Sequence, residues 1–194
     1  KNEIFTALWE KFKLDSLSGQ WDFIESALFG YAAGKVIESF VNFNLQPHHR
    51  VVAHFHEWMT GAGVLYLKSI NAHVGTIFTT HATVVGRCLA CNNVPLYETL
   101  NNCNADEKAR YYNVMAKHSL ERCAAVNADV FTTVSDITAT ECERLLGKKV
   151  DLITPNGFDN SILPSKEKKA EAVAEGRKAL LTLASAMCGE DCSD

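Results

Sequence analysis

Four short runs rich in β-branched residues recur along the chain, and the segments that separate them are long enough to form helices. The runs cover residues 51–55, 75–80, 130–134 and 150–154. Consecutive parallel strands need a crossover connection of about a dozen residues or more, and each interval here meets that length. The order of the runs therefore predicts an α/β fold, in which βαβ units build a parallel sheet flanked by helices.

Helix signals lie between and around these strands. Two amphipathic segments within residues 1–45 are expected to cover the sheet. The clearest helix is predicted over 105–126, with Asn104 as its N-cap and Glu107 as a capping-box partner. The residues expected on its buried stripe are Tyr112, Met115, Ala116, Leu120 and Cys123.

Two more helices are predicted nearer the end of the chain. One begins after Ser135 and ends at Gly147, and the other covers 166–187. No repeat or Pro-rich linker divides the sequence, which favours one domain. The expected organisation is covering helices over 1–45, a βαβ core over 51–158 and a helical segment over 159–194.

Composition and charge exclude several classes of partner. The chain has 194 residues, 47% apolar and 22% charged, with a formal net charge of −4. Surfaces that bind nucleic acid or anionic membranes are rich in Lys and Arg, so neither partner is expected. The most apolar stretch, 24–41, contains three charged residues and falls short of a membrane span. No signal peptide opens the sequence, so we expect a cytoplasmic protein.

Glycine and cysteine spacings have structural explanations. Gly30 and Gly34 form a GxxxG pattern, which outside a membrane predicts close packing of one helix. The seven cysteines are an odd number without compact spacing, and we expect reduced thiols. The two close pairs lie far apart in sequence, so no metal site is predicted; they are Cys88 with Cys91 and Cys188 with Cys192.

Polar residues follow each predicted strand. His56 and Glu57 follow the first strand, and His81 ends the second. Ser135 follows the third, and the pair Asn156 and Gly157 follows the fourth. Ligands of open parallel sheets bind outside the carboxyl ends of the strands, where these residues converge. The sequence therefore predicts one candidate cleft at this edge.

Several longer motifs follow one another from about residue 51 to residue 158: His-Phe-His-Glu-Trp at 54–58, Thr-Ile-Phe-Thr-Thr-His-Ala-Thr at 76–83 followed by Gly86-Arg87, Phe-Thr-Thr-Val-Ser-Asp-Ile-Thr-Ala at 131–139, and Thr-Pro-Asn-Gly at 154–157. In wording and order these motifs resemble those of glycogen synthases of the animal and fungal type. The family implies a Rossmann-like sheet that forms part of the N-terminal domain of a GT-B glycosyltransferase. It also implies transfer of glucose from UDP-glucose to the non-reducing end of an α-1,4-glucan, with retention of configuration.

The resemblance further implies roles for individual residues. His81 and Arg87 match positions that contact UDP-glucose, and Glu57 matches a carboxylate near the acceptor side of the sugar, with an orienting or proton-handling role. These three are the expected catalytic residues. His56 stands beside Glu57, and the Asn156-Gly157 pair, which is expected to form a turn, can add a contact to substrate or partner domain. No metal or other cofactor is implied, and the expected partners are UDP-glucose, glycogen and the C-terminal domain of the same protein, in a homo-oligomer.

Each candidate also has a purely structural interpretation. His54 alternates with Phe55 in a strand and is expected to be a hydrogen-bonded core histidine. Glu57 can serve as a helix N-terminal carboxylate, and Arg87 by itself would be a surface arginine. The remaining histidines are expected on loops or helix surfaces, namely His48, His49, His73 and His118.

The chain departs from the family pattern in two respects. The family's initial Gly-rich loop with its Lys, and the Glu pair, Arg and Lys of the C-terminal domain, have no counterpart here, so we expect the isolated chain to be inactive. Residues 159–169 contain no His or Gln, which predicts a parent enzyme without activation by glucose 6-phosphate, as in a bacterial relative. The alternatives are an ADP-glucose donor or a non-catalytic carbohydrate-binding scaffold. No GxGxxG follows a strand, which argues against a dehydrogenase.

Overall fold

The computed structural model describes residues 1–46 and 48–189. Contacts divide the chain into two compact units, Lys1–Pro155 and Asn156–Asp194. The boundary lies close to residue 158, where the predicted βαβ core ends. The single-domain interpretation of the whole chain stays a prediction.

The first unit contains four strands and eight α-helices within the described residues. In chain order they are α1 (Asn2–Phe12), α2 (Trp21–Asn44), β1 (Val52–His56), α3 (Glu57–Ser69), β2 (Gly75–Thr80), α4 (Val84–Cys91), α5 (Leu96–Thr99), α6 (Ala105–Tyr111), α7 (Met115–Asn127), β3 (Val130–Thr133), α8 (Asp136–Leu146) and β4 (Leu152–Ile153), with a 3-10 turn at Leu100–Asn102. The second unit carries a 3-10 turn, Asn160–Ile162, and α9 (Lys169–Cys188). Within the described part of the chain, no helix is both long and apolar enough to cross a membrane.

The sheet confirms the predicted α/β class. Its strand order is β1-β2-β3-β4, and every neighbouring pair is parallel. His54 of β1 pairs with Ile77 of β2, and His56 pairs with Thr79. This register brings the carboxyl ends of β1 and β2 to the same edge, at neighbouring positions.

The core lies on one face of the sheet. Phe55, Phe78 and Phe131 project from β1, β2 and β3 into a buried cluster that includes residues of α3, α7 and α8. On the opposite face Val52 is 61% exposed and Leu152 is 58% exposed. This second face is therefore open at the edge strands β1 and β4, although Thr79 of β2 and Thr132 of β3 on the same face are buried.

Close approach of α2 and α3 depends on glycine. A Cβ added at Gly30 would lie 2.9 Å from the carbonyl oxygen of Thr60, and one at Gly34 would lie 3.1 Å from that of Gly63. Both glycines are buried. The GxxxG pattern thus packs one helix against another inside the unit, as predicted.

The predicted N-caps Asn104 and Ser135 and the predicted helix end at Gly147 are confirmed, while the reciprocal capping-box contact of Glu107 stays a prediction. The Asn104 side chain accepts a hydrogen bond from Glu107 N at 3.2 Å, and Ser135 Oγ accepts one from Thr138 N at 3.2 Å. Gly147 follows α8 with φ 68°, the left-handed conformation that glycine adopts without steric cost. These short-range signals depend only on local backbone geometry.

The prediction of one continuous helix over 105–126 is wrong, because two helices, α6 and α7, occupy that range. They are interrupted at Asn113, which has φ 55°. Val114 N donates to Ala109 O at 2.8 Å, which closes the end of α6. Asn tolerates the left-handed region better than most residues, so it can end a helix inside a periodic apolar pattern.

The surface prediction for His118 is also wrong. His118 lies on α7 and is fully buried. Burial first, and then the neighbouring Arg122 charge, lower its pKa to about 4. The remaining three histidines of that group, His48, His49 and His73, are exposed as predicted.

Replacement of Gly30 by Ala tests the glycine contact. An Ala in a helix interior ordinarily stabilises it by about 1 kcal/mol relative to Gly. Here we expect destabilisation by about 1–3 kcal/mol, because the added methyl would overlap the α3 backbone. Urea unfolding followed by circular dichroism measures the difference.

Gly176→Ala is the matched control, because a Cβ at this position of α9 meets nothing within 4 Å. It should leave the main unfolding transition unchanged or raise helical content. A stabilising Gly30→Ala would contradict the proposed packing constraint.

Candidate functional site

Glu57 occupies a strained backbone position where β1 becomes α3. Its φ is 62°, in the left-handed region that non-glycine residues rarely adopt. The turn is held by Thr60 Oγ1, which donates to His56 O at 2.6 Å. Strain of this kind persists only when the surrounding contacts enforce it, and it is concentrated at functional sites.

Glu57 brings two other candidates together. Its Oε1 accepts a hydrogen bond from His81 N at 2.9 Å and lies 3.4 Å from the Arg87 guanidinium. The Glu57 side chain is 16% exposed, whereas that of Arg87 is 57% exposed. The carboxylate is thus held between a backbone donor and a cation, and most of the guanidinium still faces solvent.

His81 lies in the loop between β2 and α4, at the predicted edge of the sheet. Thr83 caps α4, with its Oγ1 accepting from Gly86 N at 3.0 Å. Arg87 lies one turn into that helix. The short loop and the cap therefore determine together where His81 and Arg87 lie.

Three histidine rings form a row at this edge. The ring centroids of His54 and His56 are 4.1 Å apart, and those of His56 and His81 are 5.8 Å apart. His54 Nε2 lies 2.7 Å from Thr79 Oγ1, so the predicted hydrogen bond is present. Its core location is wrong, because His54 is on the exposed face of the sheet. Partial desolvation first, and then the His56 charge, lower the pKa of His54.

The remaining predicted site residues belong to the other unit. Asn156 and Gly157 lie in an irregular segment after β4, and both are exposed. A Cβ added at Gly157 would meet nothing within 4 Å. Their contribution to substrate binding stays a prediction.

Two further carboxyl groups next to this site have no counterpart in the sequence prediction. Glu121 of α7 is 0% exposed and Glu141 of α8 is 3% exposed. Burial raises the pKa of Glu121 to about 8, although hydrogen bonds from Val84 and Thr80 lower it, and Glu57 and Glu141 add to the rise. The sequence analysis did not identify Glu121 and Glu141, because the helices were located from their apolar positions and neither residue is one of these.

The cysteine pairs give no metal centre within the described residues. Cys88, Cys91 and Cys188 are free thiols, and no group of three or more His, Cys, Asp or Glu side chains in the described ranges could hold a metal ion. Cys192, the second member of the later pair, lies outside those ranges. Burial raises the pKa of the Cys88 thiol.

Comparison with known proteins identifies the family. Residues 1–168 match the family model described as glycogen synthase. Glycogen (starch) synthase of Dictyostelium discoideum is 41% identical over 134 residues, which is 69% of this chain and 15% of that protein. The Neurospora crassa protein of the same name is 39% identical over 158 residues, 81% of this chain and 22% of that protein.

A human relative, the liver glycogen (starch) synthase, is 43% identical over 109 residues, 56% of this chain and 16% of that protein. The chain thus spans between 15% and 22% of the length of these curated relatives. The match covers the first unit and extends into the beginning of the second, ending before α9.

The raised pKa of Glu121 predicts a pH dependence of stability. The pKa of a Glu carboxyl is ordinarily 4.5, and that of Glu121 in the folded protein is about 8. Between these two pH values the folded protein keeps a proton on Glu121 that the unfolded chain releases. Stability should therefore fall as the pH rises through this window. Glu121→Gln cannot titrate, so its free energy of unfolding should fall less between pH 6.5 and 8.5, measured by urea denaturation.

His118 does not disturb this comparison. Its pKa is lowered to about 4 from 6.5, so its own linkage has the opposite sign, acts mainly between those two pH values and is the same in both proteins. Equal pH slopes for the wild-type protein and Glu121→Gln above pH 6.5 would refute the protonated state of Glu121.

Proposed function

The chain belongs to the glycogen synthase family, and we propose that the full-length protein transfers glucose from UDP-glucose to the non-reducing end of an α-1,4-glucan, with retention of configuration. One observation carries the proposal. His81 and Arg87 meet on a single carboxylate, Glu57, at the carboxyl edge of a parallel sheet. Ligands of open α/β sheets bind at this edge.

Arg87 is the group proposed to receive the diphosphate of the donor. Only one of its nitrogens pairs with Glu57, at 3.4 Å, and the guanidinium has five N–H donors in total. The amino end of α4 offers less to an anion, because Val84 N and Thr83 N already donate to Glu121 and Glu141. Phosphate recognition in this unit therefore depends on the Arg87 side chain rather than on the helix terminus.

His81 is proposed to hydrogen-bond the transferred sugar. Its backbone N–H is fixed by Glu57, so the ring is held at the edge without using either ring nitrogen in that bond. His56 lies beside it and supplies a second polar group for substrate hydroxyls. Held groups of this kind fix the orientation of the sugar, and donors near the leaving phosphate stabilise the negative charge that develops there.

Glu57 is proposed to orient these groups rather than to attack the sugar. Its Oε1 is occupied by His81 N and the Arg87 guanidinium, which makes it a poor nucleophile. Retention would then follow a same-face displacement, in which the sugar–phosphate bond breaks, the acceptor hydroxyl bonds to the sugar carbon on the same face, and the leaving phosphate takes the hydroxyl proton. No metal or cofactor is proposed to take part.

The rest of the site is proposed to come from the C-terminal domain of the full-length protein. Half of the donor's contacts would then be absent from the 194 residues alone, and we expect this chain to show little transferase activity by itself. The Asn156-Gly157 segment is proposed to add a contact to substrate or to that domain. A homo-oligomer is proposed for the full-length protein.

Separate His81→Ala and Arg87→Ala substitutions in the full-length protein test this function. Each should lower kcat/KM for glucose incorporation from UDP-glucose into glycogen by roughly a hundredfold or more, because each removes a donor to developing charge. Radiolabelled glucose transfer measures the rate, and ADP-glucose is assayed in parallel.

The matched controls are His73→Ala and Arg50→Ala, which alter exposed residues of the same types at the amino edge of the sheet. Both should retain activity close to that of the wild-type protein. Full activity in the His81 and Arg87 variants would refute the roles proposed for these residues, and absence of transfer in the wild-type protein would favour a scaffold. Faster transfer from ADP-glucose would exclude UDP-glucose as the preferred donor.

A further inference from the structure

Two buried carboxyl groups surround the loop that carries His81. Glu121 and Glu141 come from different helices, α7 and α8, and both are almost fully buried. Within the described residues, neither forms a salt bridge with a Lys, Arg or His side chain. Burial of a carboxylate without a cation is costly unless hydrogen bonds replace its hydration, so their partners indicate what they do.

Glu121 contacts both ends of the loop. Its Oε1 accepts a hydrogen bond from Thr80 Oγ1 at 2.9 Å, where β2 ends. Its Oε2 accepts one from Val84 N at 2.9 Å, at the first residue of α4. One side chain thus joins the end of the strand to the start of the helix, with His81 between them.

Glu141 holds the same loop from a second direction. Its Oε1 accepts from both Thr83 N, at 2.9 Å, and Thr83 Oγ1, at 2.5 Å. A Cβ at Gly86 would overlap this carboxylate, so the first turn of α4 approaches it closely. With Glu57 on His81 N, three carboxyl groups accept the backbone N–H groups of residues 81, 83 and 84.

The hydrogen-bond pattern accommodates one proton on Glu121. Thr80 Oγ1 has a single hydrogen but two acceptors within reach, Glu121 Oε1 and Ala82 O at 3.2 Å. A proton on Glu121 Oε1 would bond to Thr80 Oγ1 and leave the Thr80 hydrogen for Ala82 O. The raised pKa of Glu121 is consistent with this arrangement.

We propose that Glu121, in its protonated form, and Glu141 are positioning residues that hold His81 and the first turn of α4 in the geometry needed to bind the sugar-nucleotide donor. The inference rests on the proposed function, because it assigns these two carboxyl groups to the same site. Neither residue is proposed to touch substrate. They act through the backbone of residues 81–84 and through the start of the helix that carries Arg87.

Leucine and glutamine substitutions separate this role from ordinary core packing. Glu121→Leu keeps the approximate volume but loses both hydrogen bonds, whereas Glu121→Gln retains one donor and one acceptor, as in a protonated carboxyl. In the full-length protein we expect Glu121→Leu to lower kcat by roughly tenfold or more, and Glu121→Gln to stay within about threefold of the wild-type protein. Val74→Ala, in the core near the amino edge of the sheet, is the control for lost stability and should leave kcat unchanged.

Hydrogen exchange of the same full-length proteins measures the loop directly. The amides of Thr83 and Val84 should exchange at least about tenfold faster in Glu121→Leu than in Val74→Ala, with Glu121→Gln close to wild type. Thr80→Val removes the hydroxyl that contacts both Glu121 and Ala82 and keeps nearly the same side-chain volume. It replaces Glu121→Leu in both experiments if that variant does not fold. It should show faster exchange at the same amides and a lower kcat.

Each outcome decides a separate statement. Wild-type exchange and kcat in Glu121→Leu, or in Thr80→Val if it replaces that variant, would overturn the positioning role. Equal losses in Glu121→Gln and Glu121→Leu would overturn the protonated form. Absence of glucose transfer in the wild-type protein would overturn the proposed function instead, while the exchange data still decide whether the two carboxyl groups hold the loop.

Discussion

The hydrogen bond from His81 N to Glu57 Oε1, 2.9 Å long, joins the ends of two neighbouring parallel strands. It can form because the register of β1 and β2 pairs His56 with Thr79, which leaves Glu57 and His81 just beyond the same edge. It also requires Glu57 to adopt a left-handed backbone conformation at the start of α3. The contacts proposed for His81 and Arg87 both depend on this junction, because Arg87 pairs with the same carboxylate.

The environment of the loop differs from an ordinary helix start. The amino end of a helix carries a partial positive charge that binds anions well. At α4 the backbone N–H groups of Val84 and Thr83 instead donate to the buried side chains of Glu121 and Glu141. Burial raises the pKa of Glu121, and repulsion from the nearby carboxyl groups Glu57 and Glu141 adds to the rise. Rigidity of the loop and a buried proton are thus two results of one arrangement.

Local signals explain most of what could be predicted from the sequence. The β-branched runs predicted all four strands, and Asn104, Ser135 and Gly147 marked helix ends because capping depends on nearby backbone alone. The His-Glu and His-Ala-Thr blocks correctly identified one edge of the sheet, since parallel strands deliver their following residues to the same side. Whether each of those residues binds substrate is still a prediction.

The features that the sequence did not predict depend on tertiary contacts or on single backbone conformations, and the spacing of apolar residues along the chain contains no information about these. Asn113 ends α6 inside an unbroken apolar pattern because Asn can adopt a positive φ. His118 and Glu121 lie on a helix buried on more than one side, so a polar residue there can be core. His54 is exposed because its face of the sheet is open at β1. The positive φ of Glu57 results from the direct transition from β1 to α3, and the residue type gives no indication of it, because Glu rarely adopts this conformation.

A crystal structure of the full-length protein with UDP-glucose bound would test the central claim most directly. The account predicts the diphosphate within hydrogen-bonding distance of the Arg87 guanidinium and the glucose within that distance of the His81 ring. Glu57 would still accept the bond from His81 N. A donor bound away from the carboxyl edge of this sheet, or a His81 loop released from Glu57 and Glu121 in the complex, would contradict it.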